Sequence, residues 1–167
     1  MAKVMWNESA MQQNLFAWID RRAHKTEWMK TIYHPANGGH RHIATAERLK
    51  REGVRAGVPD VIIPRPIMAP DGSIAYTGMA IELKVGSNKL SQAQAAFCYA
   101  LVQQKWFVML VHDFSEVAAY HICKAYDEPM DDIPDYAVRY PDKWASCVNR
   151  WSKYDFDEFT KGGFNAR

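Results

Sequence analysis

The amino-acid sequence predicts an α/β fold in which a central mixed sheet is flanked by helices. Three observations point there. Segments with apolar residues at helical spacing alternate with short apolar runs along the 167 residues. Residues 106–111, Trp-Phe-Val-Met-Leu-Val, are apolar throughout, as a strand covered on both faces must be. Asp71-Gly72 stands between two apolar runs, a hairpin signal that adds an antiparallel pair.

The elements follow in order. Asn7 is an N-cap for a helix over residues 8–22, whose buried stripe is Met11, Leu15, Trp18 and Ile19. Residues 28–33 are a short apolar run read as a strand, and 34–42 are a Gly/Asn/Pro loop. A second helix over 45–52 closes at Gly53. Residues 58–63 are a strand stopped by Pro64 and Pro66; after the turn at 68–73, residues 74–85 return as the next strand. A helix over 91–105 presents Ala95, Cys98, Tyr99 and Val102 inward. The strand 106–111 and a helix over 115–125 follow. No internal repeat or low-complexity tract interrupts this order.

The length suits one domain with a real core, and 48% hydrophobic content fits a globular chain. No apolar run approaches the ~20 residues of a membrane span, and residues 1–8 carry no apolar signal-peptide core. Three widely spaced cysteines fit a reducing compartment, so a cytoplasmic location is expected; Cys98 and Cys123 read as buried core thiols. The net charge of +2 hides an asymmetry. Residues 21–55 hold nine Lys/Arg against three acids, a local +6. Residues 113–158 hold five against eleven, a local −6. A basic stretch leading into a carboxylate site suits a phosphate-backbone binder, although Arg48, Lys50 and Arg51 also fit the solvated face of a helix.

The chemistry concentrates in Gly57-Val58-Pro59-Asp60 and Ile81-Glu82-Leu83-Lys84. Side chains alternate across a strand, so Glu82 and Lys84 share one face and Ile81, Leu83 and Val85 the other. An exposed Glu-x-Lys is often an ordinary surface pair, and Pro-Asp is often a turn. Inside apolar strands, charges are costly unless paired or bound to a metal. Asp60 opens the neighbouring run Val61-Ile62-Ile63, so two carboxylates and a lysine converge on one sheet. That set suits a divalent metal, Mg²⁺ or Mn²⁺, and hydrolysis of a phosphodiester, with Asp60, Glu82 and the Leu83 carbonyl as ligands and Lys84 beside them.

The order and spacing of Asn37-Gly38-Gly39, Gly53-Val54-Arg55-Ala56-Gly57-Val58-Pro59-Asp60, Ile81-Glu82-Leu83-Lys84 and Leu90-Ser91-Gln92-Ala93-Gln94 resemble the PD-(D/E)xK nuclease superfamily. More closely, residues 8–125 resemble its virus-type replication-repair nuclease (VRR-NUC) family, in the short stand-alone form of phages and bacteria. The resemblance implies metal-binding roles for Asp60 and Glu82, a catalytic role for Lys84, and supporting roles for Gln94 and for Glu8 on the first helix, the latter as a further metal ligand. Two alternatives stay open. Ser91-x-x-Gln94 is also a capping box, and an acid such as Glu8 in a first helical turn also complements the helix dipole. The loop 34–42 and the basic residues after it give Asn37, Arg41, Arg48, Lys50, Arg51 and Arg55 as DNA contacts. His34, His40 and His42 lack the Cys or acid that would complete a zinc set in that loop.

The expectation is therefore a Mg²⁺- or Mn²⁺-dependent DNA endonuclease. The resemblance implies branched DNA, such as four-way junctions, as substrate and a homodimer as the acting form. The alternatives are a non-catalytic DNA-binding module, against which the intact Asp60, Glu82 and Lys84 argue, and a sequence-specific restriction-type endonuclease, for which no recognition domain is evident. Residues 126–167, beyond the resemblance, form an acidic, aromatic extension expected to pack on the core or to build an oligomer contact.

Overall fold

The computed structural model describes residues 7–36, 43–152 and 156. A four-stranded mixed sheet lies at the centre, in the order β1 (Val61–Ile63), β4 (Met79–Lys84), β5 (Phe107–His112), β6 (Ala145–Cys147). β4 pairs antiparallel with β1 and parallel with β5, and β6 closes the far edge antiparallel to β5. Helices α1 (Glu8–Ala23) and α4 (Ser115–Tyr126) cover one face, and α3 (Gln92–Gln103) covers the other.

The alternation along β4 sorts the two cores. Ile81 and Leu83 join Met11, Leu15 and Ile19 of α1 and Val117 and Ile122 of α4. Ala80 instead packs with Ala95 and Cys98 of α3 and with Val108 and Leu110 of β5. Covered on both sides, β4 is buried from Met79 to Lys84. Asn7 caps α1, its side chain accepting from the Ala10 N–H at 2.8 Å. All three cysteines are free, Cys98 and Cys123 in the core.

Two expectations are corrected. Residues 28–33 do not form a strand: Glu27–Thr31 is a 3-10 turn, and only Tyr33 bridges to Ile62. The indole of Trp28 is drawn aside, donating to Glu128 at 2.7 Å and packing on Tyr126 and Arg65, while Thr31 Oγ1 closes the turn on the Trp28 carbonyl. Residues 74–85 are not one strand. β3 (Ile74–Tyr76) pairs with β2 (Ile67–Met68) in a separate hairpin, and the chain changes sheet at Gly78. A Cβ there would lie 2.6 Å from the Trp106 ring and 2.8 Å from the Ile63 carbonyl oxygen, so only glycine fits the crossing. Helix α4 ends at Tyr126, and the segment that follows it supplies the edge strand β6.

That segment also forms α5 (Asp135–Arg139), α6 (Pro141–Trp144) and a 3-10 turn, Val148–Arg150. Ile133, Ala137 and Val148 enter the two cores. Tyr136 and Trp144 pack on Phe114, and Trp151 packs on Phe156. Asn149 ties the segment down by accepting from the Val108 N–H at 2.6 Å and donating to the Trp106 carbonyl at 2.5 Å. Tyr154 and Phe159 lie outside the described residues.

Candidate active site

β1 and β4 run antiparallel, so the start of β1 meets the end of β4. The last paired residues are Val61 and Ile81. Beyond them Asp60 replaces a backbone partner, its Oδ2 accepting from the Leu83 N–H at 2.9 Å. The Leu83 carbonyl belongs to the same strand edge, since a β residue turns both its backbone groups to one side. The imidazole Nδ1 of His34 meets the Asp60 carbonyl at 2.7 Å, fixing the backbone that carries the carboxylate.

Glu82 and Lys84 share the α3 face, as alternation requires. They are 1% and 5% exposed, and Lys84 Nζ lies 2.8 Å from Glu82 Oε1. Gln94 joins them and makes two sets of contacts at once. Its Oε1 accepts from the Ser91 N–H at 2.8 Å, completing the capping box at the start of α3. That bond fixes which way the amide faces, and its Nε2 then donates to Glu82 Oε1. Glu82 Oε2 is buried with no hydrogen-bond partner among the described residues.

Glu8, at the start of α1, reaches the same place. Its Oε1 lies 3.5 Å from Lys84 Nζ and accepts from Asn88 Nδ2 at 3.2 Å. Gly57 sets the spacing of the two walls. It has φ +82°, and a Cβ would fall 2.2 Å from the Ala93 carbonyl oxygen and 2.7 Å from Gln94 N. Only a glycine lets the chain before Asp60 touch the N-terminal turn of α3. A cleft of about 670 Å³ opens here, lined by Glu8, Gln12, His34, Gly57, Asp60 and Gln94.

Burial, and then the neighbouring Asp60, push the Glu82 carboxyl up to about 8. Burial likewise raises Asp60 against the pull of the Leu83 N–H and Lys84. Burial disfavours the charge on Lys84, but Glu82, Glu8 and Asp60 outweigh it, and the ammonium titrates above its ordinary value. The short Lys84–Glu82 contact is therefore not a plain ion pair at neutral pH. A charged ammonium meets two carboxyl groups that between them retain a proton.

The predicted residues thus divide. Asp60, Glu82, Leu83, Lys84, Gln94 and Glu8 converge. The helix predicted over 45–52 is α2 (Ile43–Arg51), and it shows no buried side chain among those described. On or just beyond it, Arg48, Lys50, Arg51 and Arg55 are exposed; Arg48 pairs with Glu52 at 3.2 Å, and Arg55 caps the Lys50 carbonyl at 3.4 Å. Asn37 and Arg41 lie outside the described residues. Sequence reasoning missed the anchoring role of His34, which it read as a loop residue, the bond between Asn88 and Glu8, and the reason for Gly57. Of these, only the glycine carried a sequence signal, by standing in the run that ends at Asp60.

No protein-family model matches this chain, and no curated protein does either. A solved structure described as a VRR_NUC domain protein shares its fold, with a TM-score of 0.58 and 23% sequence identity over 73% of this chain and 89% of that one. The architecture is thus the PD-(D/E)xK-like α/β fold, a mixed sheet between helices.

Proposed function

We propose that the chain is a DNA endonuclease that hydrolyses phosphodiester bonds with Mg²⁺ or Mn²⁺, acting on branched DNA such as four-way junctions, as a homodimer in the cytoplasm. One observation carries this reading: a carboxyl and an ammonium buried together in a central strand, beside a second carboxylate, at the edge of a cleft. A fold has no structural need for that group, since apolar residues would fill the same strand at lower cost. The fold shared with a VRR_NUC domain protein agrees with the reading.

The donors fit a hard divalent cation. Glu82 Oε2 lacks a partner among the described residues, and two desolvated carboxyl groups hold back a proton that a cation would displace. No three His, Cys, Asp or Glu side chains among the described residues converge as a cage. The ion would then be held by Asp60, Glu82 and the Leu83 carbonyl, with water completing its shell, as Mg²⁺ prefers. Bound there, it would acidify water and neutralise charge on the phosphate.

The chain's own groups do the rest. Lys84 keeps its proton at neutral pH and offers it to the non-bridging oxygens as charge builds on them. Gln94 holds Glu82 Oε1, leaving Oε2 as the ligand oxygen. Glu8 orients water from the opposite wall or holds a second ion. The exposed cations of α2 and Arg55 grip the phosphate backbone, and a two-fold dimer would set two clefts against two strands.

The test is a panel of labelled duplex, flap, splayed-arm and four-way-junction DNAs, incubated with the protein with and without Mg²⁺. Metal-dependent cutting of the junction ahead of the duplex supports the reading. Binding without any cutting would leave a DNA-binding module, and site-specific cutting of plain duplex would leave a restriction-type enzyme.

A further inference from the structure

A second cavity lies away from the cleft. It holds about 520 Å³ between α4, β6 and the β2–β3 hairpin. Phe107 and Met109 of β5 line it, and both belong to the core on the α1/α4 face. It therefore opens on the face opposite Glu82. Phe107 pairs with Met79, at the end of β4 remote from Lys84. Nothing in the proposed phosphodiester chemistry uses it.

Its lining is of two kinds. Tyr76 and Phe107 meet edge to face, 5.1 Å between centroids, and Trp151 adds a further aromatic wall. Lys124 and Arg150 stand exposed at the rim with a single acid, Asp142. Among the described residues neither cation forms an ion pair, although Lys124 lies over the Tyr120 ring at 5.8 Å. His121 lines the cavity too, and its Nε2 is buried with no hydrogen-bond partner among the described residues. Burial, and then Lys124, lower this imidazole to about 4, so it is neutral at pH 7. A cavity of this size, with apolar aromatic walls and a few polar groups, has the make-up of a small-molecule site. Rim cations in excess of acids select a negative group, and flat aromatic walls select a planar ring.

We propose that this cavity binds a planar aromatic ring carrying one anionic group, of the size of a nucleoside monophosphate. The ring packs against Tyr76, Phe107 and Trp151, and the phosphate lies between Lys124 and Arg150.

The experiment is calorimetric titration of the full chain in EDTA with dTMP, dAMP, thymidine and orthophosphate, followed by Trp fluorescence. The nucleotides should bind in the micromolar to millimolar range and quench emission, while thymidine and orthophosphate each bind at least about tenfold more weakly. Lys124→Ala and Arg150→Ala, both at exposed positions, should each weaken dTMP by about tenfold or more; Asp60→Asn should leave it unchanged. No nucleotide binding at millimolar concentration overturns the proposal. So does binding that follows Asp60→Asn and ignores Arg150→Ala, or orthophosphate binding as tightly as dTMP. Because the assay excludes divalent metal and reads binding alone, its result is independent of whether the chain cleaves DNA.

Discussion

Glu82→Gln should make the protein more stable as the pH rises, while abolishing cleavage. The substitution keeps the shape of the side chain and an oxygen to accept from Gln94, but removes its ionisation. In the folded state the Glu82 carboxyl titrates at about 8 against an ordinary 4.5, so folding favours its protonated form. The sign follows from linkage. Below 4.5 both states hold the proton, and the full stability is present. Between 4.5 and about 8 the unfolded chain releases the proton and the folded one retains it, so stability falls as pH rises. At about 1.4 kcal/mol per pH unit, complete ionisation costs the folded state about 5 kcal/mol. Between pH 5 and pH 8 the variant should gain on the wild type by roughly 3 kcal/mol, which is roughly 6–12 °C in Tm for a chain of this size. The assay is thermal and urea unfolding of both proteins across that range in EDTA. Adding Mg²⁺ should then restore the wild type, more at pH 8 than at pH 6, and leave Glu82→Gln unmoved. A stability difference that does not change with pH, or one that moves against the variant, would refute the view of Glu82 as a destabilised ligand.

Lys84→Ala and Asp60→Asn should each eliminate cleavage of any DNA form while far-ultraviolet circular dichroism stays native; near-normal turnover by either variant removes that residue from the chemistry. Gly57→Ala should lose about 1–3 kcal/mol in urea unfolding and most activity, because its Cβ would fall 2.2 Å from the Ala93 carbonyl oxygen; a neutral result would mean that the cleft walls move apart freely. Reversing Arg48, Lys50 and Arg51 to Glu should weaken duplex and branched DNA alike and flatten the salt dependence by roughly 0.9 in log–log slope for each phosphate that is no longer neutralised, measured by fluorescence anisotropy; an unchanged slope places the DNA elsewhere. Asn149→Ala should cost about 2–3 kcal/mol, since it strips the partners from the Val108 N–H and the Trp106 carbonyl; a value near zero would show that the β5–β6 ladder and packing hold this segment without the Asn149 amide.

What the sequence determined was whatever local pattern controls. Strand alternation placed Glu82 and Lys84 on one face, and an unbroken apolar run marked β5. Asn7 and Ser91 announced their helices, and Pro-Asp ahead of an apolar run put Asp60 at the mouth of a strand. The tertiary structure decided whatever depends on a distant partner. The apolar run at Trp28 became a 3-10 turn because its indole found Glu128 and Tyr126, about a hundred residues away. The strand predicted over 74–85 divided at Gly78 because Trp106 fills the space a side chain would need. The segment beyond residue 125, legible only as acidic and aromatic, became part of the central sheet because β5 had an unpaired edge that Ala145–Cys147 could satisfy. The same holds within the site. The sequence offered Gln94 as either a cap or a catalytic neighbour, and only the fold, by bringing α3 against β4, let one amide bond Ser91 with its oxygen and Glu82 with its nitrogen. The raised Glu82 carboxyl likewise has no signature in the chain, for it arises from the loss of water around a residue whose neighbours in space are not its neighbours in sequence.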